Sequence, residues 1–477
     1  MTTTLVDNTT VGVNRDYSTD STTNGIRYSK DYNLIALNVL SGQFITLDLK
    51  PMLVELSYFE DIYSNSVSGQ ILISDAQGLI EKMGLHGNEY IRMAFGKDGN
   101  SNLMIDKLFR IYSISNRQKT TGFDTENYVI HFCSDELVLS EQYKISKSYN
   151  GKGVSQIIND VLLTYLRVPS NKYDPKNIEQ TKGVYSIIVP NLKPFEAVNM
   201  VSLYAQSATK IGADMLFFEN AKGYNFASLQ SLFEKAPYYT YEYRPKNISM
   251  ENYDKNIDKE VFNVLGYEIL KSFNAIQAIS SGTFANRLIT IDPLLRDYKT
   301  TDFNYLDYHN KSKSLNNFPV VNNLKNRFGN TLYETPQACF KLAGTNSGWE
   351  KVDYIKSKPG SVTKNMFVET FFSQRKSQIS LANYTRAKLY IAGDPNVTVG
   401  TTVNFNLLSQ DPASSNDPKQ LDPYYSGKYL VTAVRHIIQT GGYNTILEIV
   451  KDSLPQAYLE VDNERPIFKN TVAGVKK

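Results

Sequence analysis

Cysteine is nearly missing from this sequence. Cys133 and Cys339 stand far apart in apolar or mixed contexts, which excludes a disulfide framework and predicts two buried thiols in a reducing compartment. Histidine is also scarce: His86, His131, His309 and His436 are not spaced with one another, with cysteine or with acids as metal ligands are. His131 and His436 fall inside strand patterns and read as satisfied strand residues. Tryptophan occurs once, at Trp349. No stretch approaches the roughly 18 consecutive apolar residues of a membrane span. The start, MTTTLVDNTTVGVNRDYSTDS, has neither the basic residues nor the apolar core of a secretion signal, so synthesis and retention in cytoplasm are expected. A strong charge imbalance is missing too. With 51 basic and 48 acidic residues the net charge is +3, which demands neither a nucleic-acid nor a membrane partner.

Reaction machinery is equally thin. There is no Gly-x-Ser-x-Gly elbow, and neither cysteine sits in a motif. Gly151 and Gly153 precede a helical pattern but lack the upstream Gly and the Lys-Ser/Thr pair of a phosphate-binding loop. Asp135-Glu136 and Glu60-Asp61 read as solvated acids at strand ends, although motif reading does not test a glycosidase-like pair drawn from distant strands. The expectation is no catalytic, cofactor-binding or metal residue and no cofactor, hence a structural protein and not an enzyme.

What is present is a repeated hairpin. Lys428 to Asp452 reads KYLVTAVRHIIQTGGYNTILEIVKD, two apolar runs around Gln439-Thr440-Gly441-Gly442, where glycine tolerates the positive φ of a tight turn. Residues 107 to 135, KLFRIYSISNRQKTTGFDTENYVIHFCSD, repeat the pattern, and Asn127 to Asp135 aligns without a gap on Asn444 to Asp452. A glycine opens an earlier strand in each copy, with 40 residues from Gly87 to Asn127 and 44 from Gly400 to Asn444. Any two hairpins look somewhat alike, but the matched order of several elements indicates two related small β-domains. In the strand 429 to 438, Leu430, Val434 and Ile438 share one face and Tyr429, Val431, Ala433 and Ile437 the other. Both faces are apolar, so one needs a second layer: another barrel, from this chain or a neighbouring subunit, or the chain's own loops.

The hydrophobic content of 41% supports real cores and about three domains. Residues 1–34 form a polar arm. Period-2 alternation through Ile45, Leu49, Val54, Leu56, Ile71, Ile73, Ile91 and Met93 marks a first β-barrel at 35–147. An α+β domain follows at 148–235: a helix over Val154 to Leu166, a second from Pro194 with Phe195, Val198, Val201, Ala205 and Ala208 inward, and a hairpin turning at Asn220 to Gly223. Residues 236–365 read as a connecting region, partly completing the barrels, with long surface loops at 296–324 and 341–365. The second barrel spans 366–454 and includes helical spacing over Phe367 to Leu389, with Phe371, Ile379, Leu381 and Ala382 inward, and a loop at 409–423; 455–477 is a tail. The fold class is mainly β with an α+β insert. The 33 tyrosines and 23 phenylalanines suit half-buried surfaces and subunit contacts.

These features resemble the central baseplate hub of contractile-tailed bacteriophages, a family that includes the hub part of type VI secretion spike proteins. The local matches are Gly87-Asn88-Glu89, Ser280 to Pro293 (SSGTFANRLITIDP) and Tyr425 to His436 (YSGKYLVTAVRH), and the resemblance spans roughly residues 35 to 455. The loops 296–365 and 409–423 depart from shorter members. The resemblance implies a homotrimer whose two barrels per chain make a pseudo-sixfold ring. Such a ring would join the sixfold tail tube to the threefold central spike and continue the DNA channel without sequence-specific binding. Baseplate wedge proteins and a tape-measure protein are further implied partners, and the implied location is the tail baseplate of the virion, assembled in the host cytoplasm. The competing class is a carbohydrate-binding or carbohydrate-cleaving tail-fibre protein, which the single Trp349 disfavours because such proteins present exposed aromatic platforms.

Overall fold

The computed structural model describes residues 32–41, 46–97, 105–119, 124–243, 263–292, 296–320, 331–343, 368–410 and 421–457. Trp349 and, of the two departing loops, residues 321–330, 344–365 and 411–420 lie outside them.

Alternation of apolar and polar residues builds strands, and among the described residues thirteen of them join into one sheet, with smaller sheets beside it. Its order is Gly266–Lys271, Thr385–Ala392, Gly442–Lys451, Gly427–Gln439, Leu53–Asp61, Ser68–Asp75, Glu126–Ser134, Ile105–Lys119, Tyr90–Lys97, Tyr32–Leu40 and Thr46–Asp48. Two more strands branch from Gly427–Gln439: Thr402–Leu407 pairs with it, and Pro237–Tyr243 pairs with Thr402–Leu407.

The repeat is visible in register. Ile111 pairs with Phe132 and Val431 with Ile449, and one residue is then skipped in each hairpin, so bulges fall at Tyr112 and Thr432. Ile91 pairs with Phe109 as Val403 does with Tyr429. The Ile111 N–H donates to Glu89 O at 3.0 Å, and the Val431 N–H to Thr401 O at 2.9 Å. Ile73 pairs with Tyr128 as Ile391 does with Thr445, and Leu56 with Ile71 as Tyr267 does with Leu389. Gly87 and Gly400, which open the corresponding strands, have φ of 100° and 78°, a region that side chains disfavour. The copies diverge at the outer strand: Tyr32–Leu40 runs antiparallel to its neighbour, whereas Pro237–Tyr243 runs parallel.

Each copy wraps around its own core. Leu56, Tyr58, Ile71, Phe95, Phe109 and Phe132 are central to the first, and Leu389, Val403, Phe405, Leu430, Leu447 and Ile449 to the second. Between them in sequence lies the α+β unit, whose core gathers Ile157, Ile158, Val161, Leu162, Phe195, Phe217 and Tyr224. A fourth cluster, with Phe284, Tyr305 and Leu381, packs a three-stranded sheet of Asp297–Asn304, Ala285–Asp292 and Ala338–Ala343 beside helix Phe372–Ala382.

Several expectations are corrected. The helix from Pro194 ends at Ser202, so Ala205 is buried outside it and Ala208 is exposed. The helix expected over Phe367 to Leu389 stops at Ala382. Thr385 starts the strand that carries Leu389, because β-branched and alternating residues take over at that point. Its buried stripe holds Ser373, Ser377 and Gln378 as well as Leu381, while Ile379 is half-buried. Residues 237–243, expected to be connective, form a sheet strand, and 297–304 is a strand where a surface loop was expected. Cys133 is buried as expected but Cys339 is exposed, because it lies on Ala338–Ala343, an edge strand of the small sheet; both thiols are free.

Candidate functional site

The histidines do not converge. His86 lies 3.0 Å from Glu89, His131 lies 2.7 Å from Ser115 Oγ, and His309 contacts Ser314 at 3.0 Å. Among the described residues no three His, Cys, Asp or Glu side chains gather as a metal site, and no helix is long and apolar enough to cross a membrane. A cavity of about 20 Å³ lies among Asp214, Tyr308, His309, Gln378 and Asp452. That is room for a single water and not for a sugar. Burial pushes the Asp214 carboxyl up to about 7.

What does converge is the junction between the two copies. The strand Gly427–Gln439 is shared along its length. Its first part pairs with Thr402–Leu407, and its second part, Ala433 to Gln439, pairs antiparallel with Asp61 to Glu55 of the first copy. The bulge at Thr432 resets the alternation that the sequence suggested. Tyr429, Leu430 and Val431 are all buried; beyond the bulge Val434, His436 and Ile438 are buried, and Ala433, Arg435 and Ile437 are half-covered by neighbouring strands of this chain.

The far end of the hairpin therefore belongs to the other copy's core. Ile438 and Tyr443 pack among first-copy residues. Tyr443 meets Phe95 edge-on at 5.7 Å and Tyr32 at 6.0 Å, and its hydroxyl lies 2.8 Å from Nδ1 of His436. Thr445 Oγ1 is 3.1 Å from the same nitrogen, and the rings of Tyr58 and Phe95 flank the imidazole.

Burial holds His436 neutral by pulling its pKa from 6.5 to about 3. The unfolded chain takes up this proton below about pH 6.5 and the fold resists it, so the stability tied to a neutral His436 is complete above that pH and drains away as pH falls toward 3. The stability difference between the parent and His436→Phe is expected to change by about 1.4 kcal/mol per pH unit over this window. Denaturant unfolding at pH 4.5 and pH 7 measures it; a difference that does not move with pH would mean that the ring is solvated.

The α+β unit fastens this junction. Its hairpin, Met215–Asn220 and Gly223–Ser228, aims its tip at both copies. Glu219 Oε2 accepts from the Val67 N–H at 3.0 Å and from the Ser134 hydroxyl, both in the first copy. Lys107 and Lys172 bring Nζ to 3.8 and 3.6 Å from its Oε1, and Lys172 also donates to Glu136 at 2.7 Å. Asn220 receives Lys107 Nζ on its carbonyl at 2.7 Å and donates its side-chain amide to Val399 O, in the second copy, at 3.2 Å. Glu60 completes the bridge, accepting from Ala221 N–H at 2.6 Å, Val399 N–H at 3.0 Å and Tyr58 OH at 3.2 Å. All five charged groups are buried. Burial pushes the Glu60 carboxyl up to about 7 despite its three donors, and pushes the Lys107 ammonium down. Glu60-Asp61 was read from sequence as a solvated pair; Asp61 is exposed at the strand end, but Glu60 faces inward and is a junction residue. Asp135 and Glu136 divide similarly, with Asp135 on Arg110 at 2.9 Å and Glu136 on Lys172. Strand parity places Glu60 on the same face as Leu56 and Tyr58, and that was the one sequence signal for it.

The arrangement does mechanical work: three parts of the chain are locked into one body around a shared strand. No family model matches the chain. A curated protein, the probable baseplate hub protein gp334 of Vibrio phage KVP40, is 23% identical over 395 residues, covering 81% of this chain and 87% of that protein. Among solved structures, the tail protein from Neisseria meningitidis MC58 has a TM-score of 0.48 at 11% identity, covering 88% of this chain and 97% of that one. A component of the type VI secretion system of E. coli has a TM-score of 0.39 at 9% identity, covering 86% and 76%.

Proposed function

We propose that this chain is the structural hub of a phage tail baseplate, a non-enzymatic homotrimer that adapts sixfold to threefold symmetry. The observation that carries this reading is the duplicated sheet, repeated bulge for bulge within one chain, beside a curated relative that is itself a probable baseplate hub protein over most of its length. Three chains with two equivalent sheet units each supply six near-equivalent lobes for a sixfold tube, while true threefold symmetry remains for a trimeric spike.

The joined sheet supports a channel role. Its face away from the cores carries Arg435, paired with Glu55 at 3.1 Å, and Arg386, paired with Glu448 at 2.6 Å, with Phe59, Ile446 and Tyr390 in the register row of Arg435. Charge is largely cancelled there, and a surface without free cationic rows lets DNA pass without holding it. We place this face toward the lumen, the spike and tube proteins at the ring's two ends, and wedge proteins outside. The site of action is the tail baseplate of the virion, after assembly in the host cytoplasm.

The purified protein, alone or with the spike and tube proteins of the same phage, is expected to have the mass of a trimer by light scattering. Electron micrographs should show a ring of six lobes. A stable monomer in the presence of both partners would remove the hub reading.

A further inference from the structure

The internal junction is a template for a contact that one chain cannot make with itself. In the second copy, the distal half of the long hairpin strand, Ala433 to Gln439, pairs with Leu53–Asp61 of the first copy. The equivalent segment of the first copy is Ser113 to Lys119. One of its edges pairs with Glu126–Ser134, and pairing of the other edge with Tyr90–Lys97 ends at Arg110. The equivalent of Leu53–Asp61 in the second copy is Gly266–Lys271, which ends the sheet with Thr385–Ala392 as its neighbour on one side. Among the described residues, each chain thus carries both halves of a second junction, at separate unpaired edges.

We infer that these edges pair between chains: Ser113 to Lys119 of one protomer adds antiparallel to residues 267–273 of the next, closing the ring. The inference rests on the hub reading and names the contact by which the trimer forms. Shared partners fix the register. Ser115 sits opposite Val129 as Arg435 does opposite Ile446, and Lys271 opposite Arg386 as Phe59 does opposite Ser68. Arg435 pairs with Phe59, so Ser115 falls opposite Lys271. By the same route Gln118 matches Ile437 and Glu268 matches Ser57, which pair, so Gln118 falls opposite Glu268.

One detail makes this more than analogy. Each edge strand carries an irregularity against its own neighbour at the matching place, between Ser115 and Gln118 on one and between Ile269 and Lys271 on the other. Each irregularity adds one residue relative to the internal junction. Placed against each other, the additions cancel in number: Asn116, whose φ of 53° turns it out of the extended backbone, falls opposite Leu270, Arg117 falls opposite Ile269, and Gln118–Glu268 resumes the register set at Ser115–Lys271. Unpaired strand edges invite such addition, and proteins that must stay monomeric blunt them with proline, with several charged side chains or with inward charge; each edge here carries one lysine, Lys119 and Lys271, at its end. Gly266–Lys271 holds no proline and is flanked by exposed apolar side chains, Leu265 at 63%, Phe273 at 60% and Ile276 at 83%. A neighbouring copy would cover them.

The test is cysteine cross-linking of the full chain, with Cys339→Ser removing the exposed native thiol. Ser115→Cys with Lys271→Cys should give, on oxidation of the assembled protein, covalent dimers and trimers on a non-reducing gel. Ser115→Cys with Tyr267→Cys, four residues out of register, should give none. Arg435→Cys with Phe59→Cys, the internal equivalent, should close within a chain without raising the mass. An assembled trimer that yields no matched product, or only the out-of-register one, overturns the edge pairing and leaves the hub reading intact. A chain that stays monomeric with its spike and tube proteins removes both.

Discussion

Replacing Glu219 with alanine is expected to destabilise the folded chain by about 3–5 kcal/mol, the cost of removing one partner from a buried ionic cluster. Two donors, the Val67 N–H and the Ser134 hydroxyl, and two cations, the ammonium groups of Lys107 and Lys172, surround this carboxylate. The alanine leaves Lys107 with the Asn220 carbonyl alone, whereas Lys172 keeps Glu136. The damage should therefore concentrate on Lys107. Adding Lys107→Met to the alanine variant should recover a large part of the loss, because an apolar side chain of similar length needs no partner. Chemical denaturation at pH 7 reads both steps. A loss below about 1 kcal/mol for Glu219→Ala would show that the cluster is solvated and that the hairpin tip does not hold the junction together.

The second large effect is expected at Tyr443. This side chain is fully buried and sits in the first copy's core while its backbone belongs to the second copy's hairpin. Tyr443→Ala should cost about 3–5 kcal/mol in lost burial and cavity. The loss should appear in the first copy, remote in sequence from the substitution. Because the ring couples the two cores, the parent is expected to unfold in a single cooperative transition that separates into two in the variant, visible when tyrosine fluorescence and amide exchange are followed together. Tyr443→Phe, which keeps the ring and loses only the hydroxyl contact with His436, should cost about 1 kcal/mol and leave unfolding cooperative. Two transitions already present in the parent would deny the coupling.

Much of this architecture is legible in the amino-acid order. Alternation along Leu53–Asp61 and Gly442–Lys451 marks strands, and the aligned Asn127 to Asp135 and Asn444 to Asp452 segments turn out to hold equivalent register positions. The positive φ at Gly87 and Gly400 explains why glycine stands before each of those strands. Helix and strand boundaries near Ala382 and Ser202 were less legible, since apolar spacing continues past both points while the hydrogen-bond pattern changes. Glu60 and Glu219 were hidden for a different reason. A buried carboxylate looks like a surface one until its donors are known, and here they come from residues up to 339 positions away, as Val399 is from Glu60.

Local order by itself determined that the chain is mainly β, that one hairpin unit is written into it twice, and that metal-ligand spacing and catalytic motifs are missing; these follow from side-chain period and residue type, which are properties of neighbours along the chain. Only the tertiary structure decided how the copies meet. The shared strand and the loan of Tyr443 and Ile438 to the other core depend on pairing between residues hundreds of positions apart. That pairing is set by which edges are left unsatisfied once each unit has closed around its own apolar side chains, a condition that exists only in the folded chain.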